Sequence, residues 1–150
     1  MPWKNGGGVT REVAVSPPGA GMNDFVWRVS LAEVTEPGSF SRFDGVKRHL
    51  TVLRGRLRLD FVDRSHELGP LDSLEFDGDV PVFGTPLEPV LDLNVMPRGS
   101  VSAAVRQITG EVVTDAATAL LIDPTSLDAL LIEGGGQLPI DGLWLLVEFR

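Results

Sequence analysis

Cysteine is absent from the 150 residues. That excludes a disulfide framework and a thiolate metal site, and it is compatible with a reducing cytoplasm. Histidine occurs only as His49 and His66, and neither has a second histidine at ligand spacing. The sequence therefore offers no metal-ligand set and implies no cofactor. Long apolar runs are missing: clusters such as "LWLLV" at 143–147 are far too short to span a bilayer. Residues 1–25 lack the basic start and apolar stretch of a signal peptide. Bases are outnumbered, 13 against 21 acids, for a net charge of −8 with no run of Lys or Arg. Such a chain repels nucleic acid and anionic membrane, so neither is expected as a partner. Nucleophilic machinery is missing as well, with no Gly-x-Ser-x-Gly elbow and no thiol.

What is present is glycine (17) and proline (11), recurring at short intervals between runs of period-two patterning. "FVWRVSLAEV" (25–34) places Phe25, Trp27, Val29 and Leu31 on one face, and "LRLDF" (57–61) does the same with Leu57, Leu59 and Phe61. Further strands are expected at 9–15, 48–53, 73–76, 90–95, 101–108, 128–133 and 143–149. Many short strands with Gly/Pro punctuation read as an all-β sandwich or barrel with little helix. Residues 115–123 fit two helical turns or a strand equally well. "VLRGRLRLDFV" (52–62) reads as two strands joined by a tight hairpin at Arg54-Gly55. "GLWLLVEF" (142–149) echoes "GRLRLDF" (55–61), a hint of two similar halves.

The three consecutive glycines of "PWKNGGGVTREV" (2–13) match neither a phosphate loop nor a dinucleotide fingerprint. They read either as a flexible entry segment or as backbone passing close to a ligand or another strand. Trp3, an aromatic costly to leave in water, and the polar pair Lys4 and Asn5 favour the second reading. Trp3 to Gly8, with Gly6 and Gly7 inside it, is thus expected to close one side of a barrel mouth. In "LDLNVM" (91–96) Asp92, Asn94 and Met96 share one face. That face is either the solvent side of an edge strand or the polar lumen of a ligand-binding barrel. Arg48 shares a face with Leu50 and Val52, and by spacing alone it reads as a strand-end arginine reaching solvent. Arg28 alternates away from Trp27 and is a weaker candidate, readable as an outer-face residue.

Four stretches carry a family likeness: "MPWKNGGGVTREV" (1–13), "FVWRVSLAEV" (25–34), "GSFSRFDGVKRHLTVLRG" (38–55) and "LDLNVM" (91–96). In this order, over roughly residues 1–108, the chain resembles the HutD/Ves family of cupin-like proteins. The resemblance implies a cupin-like double-stranded β-barrel, with a compact bicupin as a variant of it, in which 109–150 completes a second half-barrel of one 1–150 domain. It implies a link to histidine utilisation or stress response in bacteria, and a small acid from histidine breakdown, such as formylglutamate, as ligand. It also places an arginine at Arg48, just before the central strand pair. One departure is visible: "VMPRGSVSAAV" (95–105) lacks the paired arginines expected after the methionine.

The expected function is binding of a small carboxylate in a regulatory role. Arg48 would anchor the carboxylate in the two-pronged way lysine cannot copy. Lys4, Asn5 and Asn94 would hold the polar end, Asp92 would orient Arg48 or Lys4, and Trp3 would cover the mouth above Gly6 and Gly7. An enzyme remains the alternative: a hydrolase or isomerase using Lys4 with Asp92 or Glu12 as acid and base. An interaction module without a small ligand is the third reading, and pairing of sheets into a homodimer is compatible with either.

Overall fold

The computed structural model describes residues 1–3 and 6–150. The chain forms two compact units, Met1–Gly99 and Ser100–Arg150. Thirteen strands and no helix occupy the described residues. The segment 115–123, open between helix and strand by periodicity, contains a strand at Thr118–Ile122.

The first unit holds two antiparallel sheets. One has five strands: β1 (Gly8–Ser16), β2 (Trp27–Val34), β4 (Lys47–Arg54), β7 (Ser73–Asp77) and β9 (Val90–Pro97), in the order β1-β2-β9-β4-β7. The other has four: β3 (Gly38–Ser39), β5 (Leu57–Asp60), β6 (Ser65–Leu68) and β8 (Phe83–Pro86), in the order β3-β8-β5-β6. Val34, Leu50, Val52 and Val90 from the first sheet meet Leu57, Leu59 and Leu68 from the second in one buried cluster, the period-two pattern of the sequence turned into a sheet-on-sheet core.

The expected hairpin at Arg54-Gly55 is not formed. β4 has β7 and β9 on its two edges, and β5 has β6 and β8, so 52–62 is a crossing between sheets rather than a paired ribbon. Gly55 makes the crossing possible. Its φ is +83°, and a Cβ there would lie 2.2 Å from the Pro89 carbonyl oxygen. Alternation alone specified two strands and a turn, but not which sheet each strand joins.

The second unit is one four-stranded antiparallel sheet, β10 (Ala103–Thr114), β11 (Thr118–Ile122), β12 (Ala129–Glu133) and β13 (Gly136–Phe149), ordered β10-β13-β11-β12. Val112, Ala119, Leu121 and Leu146 form its own apolar cluster, with Ile108, Ile132 and Trp144 packed against it. One carboxylate is buried in this unit. Glu148 accepts from Arg106 Nε at 2.9 Å and from Thr114 Oγ1 at 2.7 Å.

Candidate functional site

The first unit contains a cavity of about 690 Å³. Its floor is one face of the five-stranded sheet. β2 supplies Arg28, Ser30 and Ala32, β9 supplies Asp92, Asn94 and Met96, and β4 supplies Arg48. These are the alternate residues that strand geometry puts on one side. Register brings them level: Ser30 stands opposite Asn94 and Ala32 opposite Asp92, while Leu50 and Val52 flank the same two residues from β4. Phe40 and Phe43 from the segment after β3, with Met22, form an apolar wall, and Met1, Pro2, Trp3 and Thr10 form a mixed one that carries the Met1 ammonium and the Thr10 hydroxyl. The "LDLNVM" face is thus a buried lumen face rather than a solvent face: Asp92 is 1% exposed and Asn94 6%.

Arg48 is 8% exposed. Its Nη1 donates to the Ser41 carbonyl at 3.0 Å and its Nη2 to Asn94 Oδ1 at 3.2 Å. Its Nε is buried without a partner among the described residues. The guanidinium carbon sits 5.4 Å from the ring centres of Phe40 and Phe76 and 5.6 Å from that of Phe43. Ring faces attract a cation most where water is excluded, and this one is enclosed by three. Even so, burial pulls its pKa down to about 10, against the pull of Asp92 and with a push from Arg28. Asn94 passes the contact on, its Nδ2 donating to Asp92 Oδ1 at 2.6 Å. The order Arg48–Asn94–Asp92 puts an amide between the two charged groups, so Asp92 makes no direct hydrogen bond to Arg48. Burial raises the Asp92 pKa to about 7, with Arg48 and the Asn94 hydrogen bond opposing.

Arg28 corrects the outer-face reading. It is 7% exposed and lines the cavity, with Nε 3.2 Å from Glu12 Oε1. β2 is buried on both faces, so the apolar alternation of Trp27, Val29 and Leu31 marked one inside and hid the other. The signal available was register: Arg28 falls on the same face as Asp92 once β2 pairs with β9. Ser30, Phe40 and Phe43 were likewise not singled out by spacing.

The glycine run does something other than line the site. Trp3 N donates to the Gly8 carbonyl at 2.8 Å, Gly6 N to the Trp3 carbonyl at 3.1 Å, and Pro2 bridges Val9. The first residues therefore fold back along β1. Gly8 lets the Trp3 ring lie against the backbone, since a Cβ there would meet that ring at 3.0 Å and the Glu33 carbonyl at 2.4 Å. Trp3 Nε1 donates to Thr10 Oγ1 at 2.6 Å, and its ring meets Phe40 edge-on at 5.9 Å. Trp3 reaches the cavity, whereas Gly6 and Gly7 do not line it. Gly6 is exposed in the turn at φ +73°, and the Gly7 carbonyl accepts from Thr35 N. Lys4 and Asn5 lie outside the described residues.

His49 and His66 stay away from the cavity. His49 Nδ1 is 3.9 Å from Glu75, and burial lowers its pKa. His66 lies in β6, packed against Phe61. Among the described residues no group of His, Asp and Glu is arranged to hold a metal ion.

Comparison with known proteins places this architecture. The HutD family model matches residues 1–135. A Pseudomonas putida protein described as an uncharacterized 21.2 kDa protein in the hutC 3′ region is 45% identical over 82 residues, which cover 53% of this chain and 42% of that protein. The match thus spans less than half the length of that curated relative. The solved structure of HutD from Pseudomonas fluorescens SBW25, in a formate condition, is 30% identical with a TM-score of 0.85, covering all of this chain and 92% of that one. A cupin_2 domain of a transcriptional regulator from Enterobacter cloacae shares the fold at 16% identity and a TM-score of 0.52, over 62% of this chain and 98% of that one. The all-β, cupin-like chain belongs to the HutD family.

Proposed function

We propose that the cavity binds a small carboxylate, with an acid of histidine breakdown such as formylglutamate as the ligand and a regulatory role for the complex. One observation carries this reading: Arg48 is buried in the cavity wall with no acidic side chain in ion-pairing range among the described residues. A buried guanidinium with no carboxylate in direct contact is costly, and an incoming carboxylate that pairs with it offsets that cost. Asn94 beside it, and Ser30 opposite Asn94 on β2, can donate to or accept from a polar group such as a formamide. Phe40, Phe43, Met96 and Trp3 supply the apolar remainder usual in a small-molecule site. The hut setting of the P. putida relative supports the same chemistry. Lys4 and Asn5 are included in the proposal as further polar groups, and Lys4→Met tests that part.

The test is calorimetric titration with formylglutamate, urocanate, glutamate and formate, on the wild-type chain and on Arg48→Ala. Saturable binding of one acid, weakened tenfold or more in the variant (about 1.4 kcal/mol), is the expected result. No binding of any of the four to the folded protein, or equal binding by the variant, overturns the reading.

Turnover is the second reading, and Asp92 favours it, because an acid with a pKa near 7 in a cavity suits general acid–base work. Product formation that Asp92→Asn abolishes while binding persists would establish it.

A further inference from the structure

Asp92 is the group whose position binding of a carboxylate at Arg48 does not by itself explain. It lies in the floor of the cavity at 1% exposure. On β2 its neighbour is Ala32 and on β4 it is Val52, so both flanking side chains are apolar. The Asn94 amide is its one side-chain donor shown among the described residues, and no cation there stands within ion-pairing distance.

The charged groups around it are few. β4 presents Arg48, which reaches Asp92 only through Asn94. β2 presents Arg28, which Glu12 of β1 already holds at 3.2 Å. The segment across the cavity presents Ser39, Phe40, Ser41 and Phe43, none of them charged. The ammonium of Met1, which also lines the cavity, is engaged by the Thr10 carbonyl. Among the described residues Arg48 is thus the cation that hydrogen bonding links to Asp92, through Asn94. A carboxylate docked on Arg48 brings a second negative charge to that one buried guanidinium in a low-dielectric site, and protonation of Asp92 leaves Arg48 to pair with the ligand alone.

We propose that Asp92 takes up one proton from solvent as a carboxylate docks beside Arg48, so that this cavity binds acids in a proton-linked way and Asp92 acts as a positioning residue that sets its preference for anions. The step is non-covalent: the proton moves onto Asp92 Oδ, and the ligand stays ionised. The inference rests on the carboxylate reading above. His49 is not the proton's destination, because it sits away from the cavity and burial holds its pKa below the usual histidine value.

The test is titration of the wild-type chain with formate and with N-formylglutamate in two buffers of different ionisation enthalpy. At about pH 8.5 the buffer difference should report uptake of close to one proton, and at about pH 5.5 close to none. Affinity should fall nearly tenfold per pH unit between about pH 7.5 and 8.5. In Asp92→Asn both the proton uptake and the pH dependence should vanish while binding persists. Saturable binding with no buffer dependence at pH 8.5 overturns the inference and leaves the carboxylate site standing. Absence of binding by either acid at any pH overturns both. Because the wild-type measurement is decisive alone, a poorly folding variant does not rescue the inference.

Discussion

Asp92 and Glu148 are both buried carboxylates on long central strands, at 1% and 6% exposure, and their surroundings differ in every other respect. Glu148, in the second unit, accepts from Arg106 and Thr114, with Arg150 at 3.4 Å. The Arg106 hydrogen bond, ahead of an opposing desolvation, pulls its pKa below the ordinary glutamate value. Asp92, in the first unit, has one amide donor and a cavity in front of it, and desolvation pushes its pKa to about 7. Both units bury an acid, but only one answers it with a cation in direct contact. A buried carboxylate with cationic partners is a fastening. One without them, facing open space, costs stability that function has to justify.

The contrast can be broken by substitution. The largest effect is expected at Asp92. An acid whose folded-state pKa is raised holds its proton longer when folded, so its contribution favours folding most below about pH 3.8 and declines as pH rises to about 7. Asp92→Asn should therefore flatten that decline and stabilise the protein at about pH 8, by up to about 4 kcal/mol by linkage, in urea unfolding. A variant less stable than wild type at that pH would contradict the contrast. Glu148 has the opposite sign. Its pKa is lowered, so its contribution is present above the unfolded value near 4.5 and is lost as pH falls through the folded one. Glu148→Leu should destabilise by about 2 kcal/mol at neutral pH, a value kept modest because Arg106 and Arg150 are half exposed. The smallest effect belongs to the N-terminal wall of the cavity. Trp3→Phe keeps the ring contact with Phe40 but removes the hydrogen bond to Thr10, a loss of about 1 kcal/mol in the same unfolding experiment.

Strand periodicity made much of the fold legible. β2, β4, β7, β9 and β12 fall within a residue or two of the alternating runs, because half-buried strands advertise themselves by period two. Sheet membership was not legible. "VLRGRLRL" looks the same whether Gly55 closes a hairpin or hands the chain to another sheet, and only the approach of Pro89 decides it. The site was legible in part. Arg48, Asp92, Asn94 and Trp3 do line one cavity, yet the lumen face of β9 and the solvent face of an edge strand share one pattern. Arg28 ranks as the weaker candidate by sequence because β2 is buried on both faces, a state that alternation cannot express. The glycines proved to be the fold-back that seats Trp3, since their conformational freedom says where a chain turns and not what the turn is for.

The most direct test of the site follows the Arg48 guanidinium by nuclear magnetic resonance while formate and then N-formylglutamate are added. Arg98 is the internal control. Its Nε is also buried without a partner among the described residues, but it is held by the Met22 and Asn23 carbonyls and does not line the cavity. The account predicts a saturable shift of the Arg48 Nε–H signal with the Arg98 signal unmoved. An Arg48 signal that stays in place at saturating acid, or one that moves only in step with Arg98, would contradict it.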